Sequence, residues 1–155
     1  QDLEARCLLG EAFLMAEDPA AARQAFVEAL HLQPGAARGF YGLGRAQLMQ
    51  GSLPEAMAAF RRVLDSEPDH SEAHYYLGLV YLKQQKDQAA KTCFEQSIAI
   101  DPSHAQAHYT LGLVLVNEKA YSQARAAFAK ALELDPGHTK AREKLARLET
   151  PTEQL

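Results

Sequence analysis

The sequence is poor in the features that mark several common classes of protein. It has two cysteines, Cys7 and Cys93, which lie far apart, so a disulfide framework is not predicted and a reducing compartment such as the cytoplasm is favoured. The formal net charge is −4, which gives no basic excess for binding nucleic acid. No apolar run approaches the roughly 20 residues that span a bilayer. These absences predict neither a nucleic-acid partner nor a membrane span.

The sequence also lacks the signatures of secretion and of catalysis. It has no basic, apolar and small-residue leader, and it does not begin with methionine. We therefore interpret it as a mature or excised segment, which leaves a periplasmic origin open if a leader was removed. No nucleophile elbow, phosphate-binding loop or zinc-protease motif is present. The sequence accordingly predicts no catalytic residue and no cofactor.

A 34-residue repeat runs through almost the whole chain. Four prolines follow one another at this interval, and five further columns keep the same phase. When the proline is numbered as position 32 of each repeat, position 24 is always phenylalanine and position 8 is always glycine. These columns are Pro34, Pro68, Pro102 and Pro136, then Phe26, Phe60, Phe94 and Phe128, then Gly10, Gly44, Gly78 and Gly112.

Each repeat has the pattern of two amphipathic helices. Positions 7, 8 and 11 recur at helical spacing, as do positions 20, 24, 27 and 28. In the third repeat this spacing predicts helices at residues 71–84 and 87–100. The small residues lie where two helices must approach closely, the phenylalanine fills the space between helices, and the proline ends the second helix because it has no N–H to donate.

The pattern resembles the tetratricopeptide repeat, which has Leu-Gly in its first helix, Ala and Phe in its second and Pro at its end. The third repeat fits best, through Leu77, Gly78, Tyr81, Ala90, Phe94 and Pro102. The resemblance implies an all-α, right-handed solenoid that forms a single array over residues 1–149. The predicted repeats cover residues 3–36, 37–70, 71–104 and 105–138.

The residues beyond the fourth repeat predict a capping helix at 139–149. Ala141, Leu145 and Leu148 keep the apolar phase, and charged residues cover the rest, as the end of a repeat array requires. The tail at 150–155 is expected to fray. No equivalent cap precedes Leu3, so the first hairpin is expected either to stand at an open edge or to be covered by upstream residues.

The resemblance implies that the first helices line a concave groove for a protein or peptide ligand. Three tyrosines fall 34 residues apart on this face, beside a stripe of leucine and valine, which favours apolar recognition. The alternative is that the tyrosines brace neighbouring helices. The predicted groove residues are Arg38, Tyr41, Arg45, Leu48, Tyr75, Leu79, Leu82, Lys83, Tyr109, Leu113, Val116 and Asn117.

The charges of this face have two interpretations. Arg38, Arg45 and Lys83 could together receive an acidic group of a partner, because guanidinium groups suit carboxylates. Alternatively they pair with nearby glutamates of the chain itself. The two-carboxylate clamp by which some family members hold chaperone tails is absent, since Cys7 and Glu11 replace its Lys and Asn.

The histidines do not predict a metal site. His70 and His74 are four residues apart, as are His104 and His108, and such pairs can bind a transition metal on a helix. Position 4 is normally a packing site, so His74 and His108 are expected to be partly buried there. No carboxylate or thiolate motif completes a set of ligands.

Three functions agree with the sequence. The first is a non-catalytic scaffold or adaptor that binds a protein or peptide. The second is a regulatory or targeting segment of a larger enzyme such as a transferase, by family association alone. The third is a module that self-associates into a homo-oligomer through the groove or the first hairpin.

Overall fold

The computed structural model describes residues 2–149, which form nine α-helices and no strand. Consecutive helices pair as antiparallel hairpins, and each hairpin packs on the next. This arrangement confirms the all-α solenoid. The predicted fraying of residues 150–155 lies outside the described residues. The helices are α1 (Leu3–Met15), α2 (Pro19–Leu32), α3 (Ala37–Met49), α4 (Leu53–Ser66), α5 (Ser71–Lys83), α6 (Asp87–Ile100), α7 (Ala105–Asn117), α8 (Tyr121–Leu134) and α9 (Thr139–Glu149).

The phenylalanine column forms the centre of each hairpin. Phe94 is fully buried, and a methyl group added to Gly78 would lie 2.7 Å from its ring. The glycine therefore lets two helices approach until one ring fills the space between them. The same arrangement recurs with Phe26 and Gly10, Phe60 and Gly44, and Phe128 and Gly112.

The turn inside each hairpin uses one residue in the left-handed region of backbone space. Gly51 adopts it at φ 77°, and only this turn uses glycine. The corresponding residues of the other repeats are Glu17, Gln85 and Lys119, with φ of 56° to 59°. A side chain disfavours this conformation, but the backbone hydrogen bonds that close the turn hold these residues in it.

Histidine caps the first helix of three successive units. The Nδ1 atom of His104 accepts a hydrogen bond of 3.2 Å from the Ala107 N–H, and its ring packs against that of Tyr75 with centroids 4.8 Å apart and planes tilted by 40°. This bond satisfies one of the unpaired donors at the start of α7. The same arrangement recurs at His70 with Ala73 and Tyr41, and at His138 with Ala141 and Tyr109.

Replacing His104 with alanine should lower the free energy of unfolding by about 1–2 kcal/mol, because the helix loses its cap and Tyr75 loses a ring neighbour. Urea denaturation followed by circular dichroism measures the change. His31 is exposed near the end of α2, and His31→Ala should alter stability by less than about 0.5 kcal/mol. Equal effects of the two substitutions would contradict the capping role.

Candidate functional site

The first helices lie beside one another and form one face of the array. α1 contacts α3, and α3 contacts α5. The predicted groove residues differ widely in exposure on this face. Leu48, Tyr75 and Tyr109 are each only 8% exposed. The half-buried members are Tyr41, Arg45, Leu79, Leu82, Leu113 and Val116, and the exposed members are Arg38, Lys83 and Asn117.

The tyrosine column packs inward. The ring of Tyr75 lies 5.7 Å from Phe94 and 4.8 Å from His104, and burial raises the pKa of its hydroxyl. Tyr109 has equivalent neighbours in the next repeat. This geometry supports the bracing interpretation of the column, because rings so enclosed present little surface to a ligand. Tyr75 and Tyr109 therefore pack between helices beneath the face that the sequence predicts to be a groove.

Arg38 is engaged by the chain's own carboxylates. Its Nη2 atom lies 3.1 Å from Glu11 Oε1, and its Nη1 atom lies 3.5 Å from Glu4. The bond to Glu11 raises the pKa of the guanidinium. An exposed pair of this kind contributes little to stability, but it neutralises the charge that would attract a ligand. The cross-helix alternative for Arg38 thus has direct geometric support.

Arg45 lies on aromatic rings rather than beside an open carboxylate site. Its guanidinium carbon is 5.5 Å from the centroid of Tyr41 and 5.6 Å from that of Tyr76. The Tyr41 hydroxyl donates a hydrogen bond of 2.6 Å to Glu72, and its pKa is raised, mainly by burial. These contacts fill the face between the second and third repeats with the chain's own polar groups.

The opposite half of the face contains an open depression. It has a volume of about 720 Å³ and is lined by residues of α5, α7 and α9, together with the α5–α6 turn and the first residue of α6. Four of the predicted groove residues line it, namely Leu82, Leu113, Val116 and Asn117. Gln85, Asp87, Val114 and Lys144 complete the lining. The depression is thus apolar along the first helices and has polar groups at its margin.

Lys144 was not predicted as a groove residue. It belongs to α9, which the sequence identifies only as the polar cap of the array. The signal that could have found it is the 34-residue period, which continues through α9 in Ala141 and Leu145. Extending that period places α9 beside α7 as a further first helix.

The histidine pairs are occupied by backbone contacts. His70 accepts from the Ala73 N–H, while the Nε2 atom of His74 lies 2.9 Å from the Pro68 carbonyl. His108 makes the same contact with the Pro102 carbonyl at 3.1 Å. Among residues 2–149, no group of three or more His, Cys, Asp or Glu side chains is arranged to hold a metal ion. The half-burial expected for His74 and His108 agrees with the structure.

The two thiols are enclosed. Cys7 is fully buried in the first hairpin, where burial raises the pKa of its thiol. Burial also raises the pKa of the Cys93 thiol to about 11. A thiol with a raised pKa remains protonated near neutral pH and is a poor nucleophile. Cys7 therefore takes part in packing within the core of the first hairpin.

A helix that spans a membrane has to be both long and apolar. Among residues 2–149, no helix is both long and apolar enough to cross a bilayer.

Two family models match the chain. One, described as anaphase-promoting complex, cyclosome, subunit 3, matches residues 49–131, and a tetratricopeptide repeat model matches residues 7–65. The chain belongs to the tetratricopeptide repeat family. Proteins of this family are generally non-catalytic scaffolds that bind peptides and other proteins. None of the curated proteins matches the chain significantly in sequence.

Solved structures share the fold. The pilF protein of Pseudomonas aeruginosa is 21% identical over 94% of this chain and 67% of that chain, with a TM-score of 0.87. MamA of Desulfovibrio magneticus RS-1 is 26% identical over 94% of this chain and 82% of that chain, with a TM-score of 0.79. YrrB, described as having an unusual peptide-binding site, is 23% identical over 95% of this chain and 76% of that chain, with a TM-score of 0.73.

Proposed function

We propose that this chain is a non-catalytic module that binds a peptide segment of another protein in the depression between α5, α7 and α9. The observation that carries the proposal is the open volume of about 720 Å³ beside Leu82, Leu113 and Val116. These side chains are half-buried, so they keep apolar surface facing the opening. Apolar surface grouped in a concave site with a few polar groups is typical of a binding site.

The lining defines the chemistry of the ligand. The aliphatic side chains favour an apolar anchor residue, because its burial removes apolar surface from water. Asn117 is exposed at the margin and carries an amide that can both donate to and accept from a peptide backbone. Lys144 and Asp87 both line the depression, and Lys83 is exposed on α5 outside the lining. The two cations outnumber the single carboxylate, which favours a carboxylate next to the anchor. We therefore expect a ligand with an aliphatic residue beside an acidic group.

The basic half of the predicted groove has a smaller part in this proposal. Arg38 would have to exchange Glu11 for a ligand carboxylate, and Arg45 would have to leave two aromatic rings. Each exchange replaces one favourable contact with another, so it adds little to the free energy of binding. Lys83 and Lys144 are therefore the preferred cations for recognition.

Peptides selected by the immobilised chain from a random display library test the proposal. The best binders should share an aliphatic residue beside Asp or Glu. The double variant Leu82→Glu/Val116→Glu should bind them at least tenfold more weakly, because it places charge on the apolar lining. Fluorescence anisotropy of the labelled peptides measures the affinity, and circular dichroism verifies the fold.

Leu32→Glu is the matched control, since Leu32 is 46% exposed at the end of a second helix. It should leave the affinity unchanged. Lys144→Glu should weaken binding of acidic peptides and reduce its dependence on salt. Unchanged affinity in the Leu82→Glu/Val116→Glu variant would sink the assignment of the depression as the binding site.

A further inference from the structure

Three junctions between successive units are closed by histidines that have to be uncharged. In each junction, Nδ1 of the histidine accepts a hydrogen bond of 3.1 or 3.2 Å from the backbone N–H three residues later. An imidazole nitrogen accepts only when it carries no proton, so each ring is the neutral tautomer with its proton on Nε2. Nε2 of His138 lies 3.1 Å from Gln106 Oε1, to which this tautomer donates. The three histidines are His70, His104 and His138.

A proton added to one of these rings removes the cap. Both nitrogens of a charged imidazole are donors, so Nδ1 would face the helix N–H with no acceptor between them. The positive charge would also lie at a helix N-terminus, where the helix dipole disfavours cations. Histidine is the side chain that ordinarily changes its charge between about pH 5 and 8. The caps therefore stabilise the fold above this range, and their contribution is lost as the pH falls through it.

The acidic side chains closest to His104 and His138 are directed at the turns. Oδ1 of Asp101 accepts hydrogen bonds of 3.0 and 2.6 Å from the N–H and the hydroxyl of Ser103. These bonds hold the pKa of the Asp101 carboxyl below its usual range, and His104 and His108 act in the same direction. Asp135 accepts from the turn N–H two residues later. Water screens the attraction of such carboxylates for a charged ring, so it does not replace the cap.

His70 faces charges of both signs. Its ring packs on Tyr41, whose hydroxyl donates to Glu72 of α5 and whose face lies 5.5 Å from the guanidinium carbon of Arg45. The two carboxylates of the turn before α5 are exposed, and they belong to Glu67 and Asp69.

The surroundings of His138 also carry one charge of each sign. Glu143 of α9 adds to the effect of burial in raising the pKa of Tyr109, on which the His138 ring packs. Arg142 donates to the Pro136 carbonyl in the turn. Within the described part of the chain, no carboxylate forms an ion pair with any of the three capping rings. A charged ring at these positions would thus lose its cap without gaining a partner.

The junction between the first and second repeats lacks this arrangement. Ala36 occupies the position of the histidines, and α3 has no side-chain cap. Cys7 occupies the position of Tyr41, Tyr75 and Tyr109. The centre of each hairpin is a phenylalanine ring against a glycine, and neither residue titrates. A mild change of pH therefore acts on the three later junctions and spares the first junction and the hairpins.

We propose that the three histidine caps make the array acid-sensitive. Protonation of His70, His104 and His138 removes the caps together and loosens the junctions after the second, third and fourth repeats, while the hairpins persist. The depression has lining residues on α5, α7 and α9, so it extends across two of these junctions and changes shape with them. The proposal does not depend on peptide binding, because its tests use the chain without a ligand.

Urea denaturation at about pH 7.5 and at about pH 5.5, where histidine is ordinarily neutral and charged respectively, tests the proposal. The midpoint of the unmodified chain should be about 1 M lower at the acidic pH, because three caps are lost. The triple variant His70→Asn/His104→Asn/His138→Asn should show no such difference, since asparagine caps a helix through an amide oxygen that does not titrate. An equal difference in the triple variant would overturn the proposal.

The variant His31→Asn/His74→Asn/His108→Asn is the matched control. His31 is exposed near the end of α2. Nε2 of His74 and of His108 lies at a backbone carbonyl, to which a charged ring also donates. This variant should keep the pH difference of the unmodified chain. Its disappearance here would assign the effect to histidines that cap no helix, and it too would contradict the proposal.

Amide hydrogen exchange of the unmodified chain locates the effect without any substitution. After correction for the intrinsic rates, the amides of Ala73, Ala107 and Ala141 should exchange about tenfold faster at the acidic pH, because they lose their acceptors. Gly39 occupies the equivalent position of α3, which no histidine caps, and its exchange should not change. Equal acceleration at Gly39 would show that acid loosens the array as a whole and would overturn the assignment to the three caps.

Discussion

Replacing Phe94 with alanine is expected to lower the free energy of unfolding by about 3–5 kcal/mol, because the ring is fully buried and its removal leaves a cavity. The ring lies against the backbone of Gly78 on one side and against Tyr75 on the other. Neither neighbour can fill the cavity, since glycine has no side chain and Tyr75 is held by His104. Urea denaturation followed by far-ultraviolet circular dichroism measures the loss.

Phe94→Leu is the graded control for this prediction. Leucine retains most of the apolar volume, so its cost should be clearly smaller than that of alanine. The transition of Phe94→Ala should also broaden, because units of an array that differ in stability unfold less cooperatively. A loss below about 1 kcal/mol for Phe94→Ala would show that the hairpin collapses around the missing ring.

Gly42→Ala should be destabilising by about 1–3 kcal/mol, although alanine is the better helix former by about 1 kcal/mol. The added methyl group would lie 2.1 Å from the ring of Phe26. That ring cannot move away freely, because a methyl group on Gly10 would also lie within 2.6 Å of it. Phe26 is therefore enclosed by two glycines, one from α1 and one from α3, and steric overlap outweighs helix propensity. The direction in which the urea midpoint shifts shows directly whether Gly42→Ala stabilises or destabilises the fold.

Gly35→Ala provides the matched control. Gly35 lies in the turn before α3, and no atom lies within 4 Å of a methyl group added there. This substitution should be neutral or slightly stabilising, because it restricts the unfolded chain. If Gly42→Ala were also neutral or stabilising, the enclosure of Phe26 would have to be looser than the structure indicates.

The repeat architecture could be predicted from the sequence because its determinants are short-range and recur. In each hairpin the Phe packs against the Gly of the same repeat, as Phe94 packs against Gly78. The constant spacing of these two residues is therefore enough to predict the contact. The helices predicted for the third repeat at residues 71–84 and 87–100 agree closely with Ser71–Lys83 and Asp87–Ile100. The single difference falls at a helix end, where hydrogen bonding is incomplete.

The exposure of the candidate site could not be predicted in the same way. Whether Tyr75 faces solvent depends on His104, which lies in the following junction and was not identified as a helix cap. Three histidines at position 34 of successive repeats were the available signal for that cap. Likewise, the choice between a free and a paired Arg38 depends on Glu11, which reaches it from another helix. The binding roles of Lys83, Leu113 and Asn117 stay predictions.

The tilted His–Tyr ring pairs have a consequence for how a peptide ligand would be recognised. Each pair ties the start of one first helix to the body of the previous one, as His104 ties α7 to Tyr75 of α5. The spacing between neighbouring first helices is thereby set before any ligand binds. The spacing between the sites on neighbouring first helices is then fixed. Inserting a single residue between two anchor residues of a bound peptide should therefore be poorly tolerated.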